Sequence, residues 1–189
     1  MTAPNLVHGD HISCSRLGAA MRRESERLRQ RAQSLDDALG DLMAARAAED
    51  TAEMAVATAI GTSLEALRAS AHDLDEAGAA LQRYATDLAE GHELGRNAQR
   101  RVAAAGLLLE GTRVVEPWGP AGAQEAQRRR SQVPEVQSRV DLATAQVGRA
   151  RGRLEREAAR LTGGFSAHSL AARPTRRAPR LLRGADPAT

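Results

Sequence analysis

Apolar residues recur along this chain at steps of three and four rather than in strict alternation, the period of helices packed along one face. The first run places Met21, Leu28, Leu35 and Leu42 at seven-residue spacing, with Gly18, Ser25, Ala32 and Leu39 as a companion row. This predicts one buried stripe on a helix from about Ser13 to Ala48, capped by Asp10 or Ser13. In "AAEDTAEM", Asp50 or Thr51 can cap a second helix with Glu53 in its first turn. A connection that short makes the two helices antiparallel.

The second helix has the most regular pattern. Ile60, Leu64, Leu67, Ala71, Leu74, Gly78, Leu81, Ala85 and Leu88 alternate steps of four and three without a miss, which is the interaction seam of a coiled coil. One row is nearly all Leu; the other shrinks to Ala71, Gly78 and Ala85, so a partner helix can come close. Gly91 and Gly95 in "EGHELGRN" are expected to bend or interrupt this helix, and Leu94, Ala98, Val102, Ala105 and Leu109 to continue it to about Glu110. "GTRVVEPWGPAG", 111–122, is the firm break. Beyond it Val133, Val140, Val147, Leu154 and Leu161 keep heptad spacing, with Val136, Ala143 and Ala150 between them. Pro134 is expected in a first turn, where its missing N–H costs nothing. No segment reads as a strand.

The chain is therefore expected to be all-α, an elongated antiparallel helical bundle or coiled-coil hairpin of three to four long helices. Its expected organisation is a flexible leader (1–12), a hairpin with an extended second helix (13–110), a Pro/Gly loop (111–122), a C-terminal helix packing on the bundle (123–162) and a disordered Arg/Pro-rich tail (163–189).

Composition sharpens this picture. Of 189 residues 42% are hydrophobic but only 2% aromatic, and about a fifth are Ala, so the core is thin and needs closely spaced helices. All 27 basic residues are Arg. Five of them, Arg173, Arg176, Arg177, Arg180 and Arg183, face a single acid, Asp186, in the tail, which carries +4 while the remainder is near neutral. That tail can attract nucleic acid or an anionic membrane through counterion release, without aromatic residues for base stacking. The start, "MTAPNLVHGDHIS", has no Sec-type signal pattern, and no apolar run is long enough to span a membrane.

Candidate chemistry is sparse. His8, Asp10, His11 and Cys14 in "HGDHISC" are residue types that zinc accepts, but one short segment without a second ligand pair reads better as a leader and an N-cap. "HELGR", His92 to Arg96, lacks the second His of a zincin motif, and Glu-x-x-His pairs, GxSxG, P-loop and dinucleotide motifs are missing. No catalytic, cofactor-binding or metal residues are assigned, no small-molecule substrate is expected, and a non-enzyme is. Tyr84, next to Ala85 and one turn from Leu81 and Leu88, is expected to cap the edge of the seam. Trp118 in "EPWGP" is expected to fold back on the bundle end or to anchor a protein partner.

The segments "GDHISCSRLGAAMRRESERLRQRAQSLDDAL" and "SLEALRASAHDLDEAGAALQRYATDLAEG" resemble actinobacterial WXG-type proteins of type VII (ESX-like) secretion over about residues 10–93. The resemblance implies a small helical hairpin that pairs through Ala/Leu faces with a second copy or a protein partner, and export by a Sec-independent route. The namesake Trp-x-Gly turn is replaced by "ARAAEDTAEM", and Leu88 stands four residues after Tyr84 where the family's export motif has an acid. The other expectation is a cytoplasmic coiled-coil protein whose Arg-rich tail binds nucleic acid or anionic membrane.

Overall fold

The computed structural model describes residues 6–45 and 51–171. Three long helices, α1 (His11–Ala45), α2 (Thr51–Ala104) and α3 (Ala123–Ala171), make the chain all-α, with one small hairpin of β1 (Leu108–Glu110) and β2 (Arg113–Val115) between α2 and α3. At 54 residues α2 is about 80 Å long and forms the spine. Helices α1 and α3 both pack on α2 and make no extensive contact with each other.

The α1–α2 register follows from small residues. A Cβ on Gly18 would lie 2.7 Å from the Gly78 carbonyl oxygen, and one on Gly78 would lie 2.7 Å from that of Gly18. One heptad along, the Ser25 hydroxyl donates to the Ala71 carbonyl at 2.6 Å, and Ser25 is completely buried. One heptad further, the same register puts Ala32 opposite Leu64, both buried. The buried row of α1 is thus the companion row, Gly18, Ser25 and Ala32. The expected Met21/Leu28/Leu35/Leu42 stripe is only half covered, with Leu35 and Leu42 exposed. Its physical reason is the close approach itself: at the Gly18–Gly78 level the helices are in near backbone contact, so the row of α1 that faces α2 is made of small residues, and Leu enters the seam only from α2, as Leu64 opposite Ala32.

Ion pairs across the seam hold its flank. Arg22 and Arg29 converge on Asp75 at 3.1 and 3.2 Å, and Arg68 pairs with Asp36. The α2–α3 seam is antiparallel too, with Arg160 on Glu76 at 2.8 Å, Arg83 on Glu157 at 2.9 Å and Arg153 on Asp87 at 2.6 Å. Along α3 Val136, Val140, Ala143, Ala150 and Leu161 are buried, while Val133, Val147 and Leu154 of the expected row are half-buried. The core cluster joins Ala98, Val102, Leu107, Val114, Val136 and Val140.

Several expectations are corrected. Helix α2 ends at Ala104, not near Glu110, because Gly106 (φ 66°) closes it: Gly106 N–H donates to Ala103 O and Leu107 N–H to Val102 O, the Schellman pattern, with Leu107 packing in the cluster that contains Val102. A strand pair follows where none was expected. Gly91 and Gly95 do not interrupt α2; they are packing sites, a Cβ at Gly91 meeting Val147 and one at Gly95 meeting Val7 and Leu6. Pro134 stands in the interior of α3, not in its first turn. It is on the exposed face, where the carbonyl it cannot pair is open to water, while Val136 and Val140 hold the helix to the core. Helix α3 also runs past residue 162 to Ala171, so the start of the expected tail is helical. From Leu6 onward the leader is not free: Val7 is buried against α2, Gly9 packs on Leu88, and His92 Nε2 hydrogen-bonds the Gly9 carbonyl at 3.0 Å. The α1–α2 turn, with the expected Asp50 cap, lies outside the described residues.

Two outcomes test the register. Gly61→Ala, with nothing within 4 Å of the new methyl, should stabilise by up to about 1 kcal/mol through helix propensity. Gly78→Ala gains the same propensity but strikes backbone, and should destabilise by about 1–3 kcal/mol; opposite shifts in Tm are the readout. The Asp75 carboxyl is held below the ordinary carboxylate range by hydrogen bonds from Arg22 and then Arg29. A depressed carboxyl contributes stability above its unfolded pKa of about 3.9 and loses it as pH falls through the folded value. Asp75→Asn should therefore lower Tm at pH 7, and thermal melts should show the gap narrowing as pH falls below the unfolded value of about 3.9.

Candidate interaction surface

The seam residues are consumed within the chain. Leu64, Ala71, Gly78, Ala85 and Leu88 are buried, and Ile60, Leu67, Leu74 and Leu81 are half-buried. The five buried positions offer no surface to a second chain.

Trp118 is the residue most clearly left over, being 98% exposed, so it does not fold back on the bundle end. Its loop is tied down on the chain before it. In the hairpin, Leu109 faces Val114 and Glu110 faces Arg113 around a two-residue Gly111–Thr112 turn. Gly111 has φ 63°, a conformation that two-residue hairpin loops favour and L side chains avoid. Gln137 of α3 then clamps the outer edge of β2: its Oε1 accepts from the Val114 N–H at 2.7 Å and its Nε2 donates to the Thr112 carbonyl at 2.9 Å. Val114 itself is buried. Two residues further, Glu116 pairs with Arg130 at 3.3 Å. Pro117 and Pro120 fix φ on either side of Trp118–Gly119, and α3 restarts at Ala123. An indole on so short and pinned a span loses little freedom when something covers it.

Tyr84 does not cap the α1–α2 seam. It turns to α3, lining a cleft with Ala80, Ala150 and Leu154 that the Arg83–Glu157 and Asp87–Arg153 pairs flank. Its neighbour Ala85 is the residue that faces α1, and one step along a helix is about 100°, enough to change partners.

The "HGDHISC" residues have structural work. Asp10 caps α1, accepting from the N–H groups of Ile12 and Ser13 at 3.0 and 3.1 Å and from the Ser13 hydroxyl at 2.5 Å. Those bonds, Ser13 first, lower its pKa. The His11 ring stacks obliquely on His92, centroids 5.5 Å apart, and Cys14 is half-buried. Glu93 of "HELGR" pairs with Arg96 and Arg100. Among the described residues no three His, Cys, Asp or Glu side chains gather as a metal site, and no helix is long and apolar enough to cross a membrane. The tail arginines, Arg173, Arg176, Arg177, Arg180 and Arg183, lie outside the described residues.

Two features went unread in the sequence. The β-hairpin was signalled by Gly-Thr between "LLLE" and "RVV", a first-position Gly flanked by apolar runs. The exposed end of the α1–α2 hairpin, with Leu35, Leu42, Met43, Met54 and Val56 uncovered, had no local signal, because it depends on where α3 stops. In comparisons with known proteins, no family model, no curated protein and no solved structure matches this chain.

Gln137→Ala should cost about 1–3 kcal/mol by orphaning the buried Val114 N–H. Trp118→Ala should change stability by no more than about 0.5 kcal/mol, since the side chain touches so little. Denaturant midpoints of the two variants measure both.

Proposed function

We propose that this chain is a non-enzymatic helical interaction protein, divergent from the WXG-type hairpins of actinobacterial type VII secretion, and that it is a substrate of that route or a partner of one. The observation that carries the reading is Trp118, almost wholly exposed on a pinned loop at the end of a rigid helical rod. Trp is enriched among the residues that dominate binding energy, and a preorganised anchor loses little entropy on docking. The α1–α2 pair supports the family reading: an antiparallel hairpin closed through Gly, Ala and Ser, of the length the resemblance implies. Since its seam is filled within the chain, the hairpin is the scaffold and Trp118 the anchor.

Among the described residues the carboxylates whose pKa values shift, Asp10, Asp75, Glu76 and Glu93, are all lowered, by a helix cap or by neighbouring Arg. They fit structural ion pairs better than proton donors, which need a raised carboxyl pKa.

The test is the distribution of the native protein between cells and culture supernatant in its own host, with and without the type VII secretion ATPase. Protein in the supernatant that disappears when the ATPase is deleted is the expected outcome. Retention in the cells in both strains rejects export.

A further inference from the structure

The end of the α1–α2 hairpin remote from Trp118 is both apolar and acidic. Leu35, Leu42, Met43, Met54 and Val56 are exposed there. Residues 33–44 and 54–60, whose side chains are described, hold three acids, Asp36, Asp37 and Asp41, and no arginine. Asp36 is paired with Arg68 and Asp37 accepts from Gln33, but Asp41 has no partner among the described residues.

Helix α3 points towards this end. Arg160 is bonded to Glu76, and the helix runs antiparallel to α2 for eleven more residues, about 16 Å, to Ala171. Val56 lies twenty residues, about 30 Å, from Glu76 along α2. The remaining gap is about 14 Å, and the twelve residues from Ala171 to Arg183 can span up to about 40 Å. Those residues carry five arginines, no acid, and the pair Leu181–Leu182 between Arg180 and Arg183. Length, charge and apolar content all match the uncovered surface.

We propose that residues 173–183 dock on the hairpin end of their own chain, the leucines covering Leu42, Met54 and Val56 while the arginines meet Asp37 and Asp41. The proposal does not depend on export, and it leaves Trp118 free at the other end of α2.

The experiment is hydrogen exchange at low salt on the full chain, on the chain ended at Ala171, and on the full-length quadruple variant R176Q/R177Q/R180Q/R183Q. Amides of residues 35–44 and 54–60 should exchange at least about threefold more slowly in the full chain than in either other form, and 0.5 M salt should remove most of the difference. Equal rates in all three forms overturn the proposal. The quadruple variant keeps every helical residue of the described body, so the comparison survives if the shortened chain folds poorly. Protection should be independent of protein concentration, with a monomer mass in sedimentation. Protection that grows with concentration alongside a dimer would assign the site to a second copy's tail and overturn docking within the chain.

Discussion

The backbone-to-backbone approach of α1 and α2 at Gly18 and Gly78 is the constraint from which the rest follows. With each glycine's missing Cβ replaced by the other helix's carbonyl, the two helices are too close there for large side chains between them, and Ser25 on the Ala71 carbonyl extends the same proximity by a heptad. Leu residues in neighbouring rows are pushed to the flanks, where they are half covered. Such a seam gains little from each buried methyl, about 0.8 kcal/mol per CH₂-sized group, and depends on continuous contact over its length. Length therefore replaces aromatic bulk in a chain with one Trp, one Tyr and one Phe.

Helix α2 can serve two partners because its seam and its opposite face use different residues. Gly78 and Ala85 face α1; Ala80 and Tyr84 face α3; Gly91 admits Val147 and Gly95 admits the leader. Arginines of α1 and α3 reach acids on α2 along both seams, so the charges help to fix the register of small, nearly featureless apolar rows. Each exposed pair contributes little alone. Their value is selective, since sliding either helix by a heptad would separate all of them together.

The helical architecture was legible because heptad spacing survives from residue to residue, and so were the α3 stripe and the small-residue row of α2. What was illegible depended on contacts distant in sequence. Gly91 and Gly95 look like helix breakers in a local reading, and only Val147 and Val7 make them packing sites. Pro134 looks like a helix start until Val136 and Val140 are seen holding the helix through it. Of the candidate site, the prominence of Trp118 was visible as a lone indole between prolines; its exposure was not, since the path of its loop is set by Gln137 and Arg130 of α3, distant in sequence, which tie down Val114 and Glu116. The buried row of α1 was misjudged because size was read as burial, whereas at this spacing the smallest residues lie deepest.

The two ends of the rod differ in a way that bears on what it can bind. At the C-terminal end of α2 the chain is tied by a Schellman turn, a two-stranded ladder, the Gln137 clamp and the Glu116–Arg130 pair, and it then presents a single uncovered indole. Binding there would recruit a preformed feature. At the other end, α1 and α2 run on beyond the reach of α3 and expose a broader, softer surface of Leu and Met among acids. Flexible side chains adapt to an occupant, and the unpaired Asp41 favours one of opposite charge. A rod built this way separates a specific anchor from an adaptable patch by the length of α2, about 80 Å, so occupation of one end need not obstruct the other.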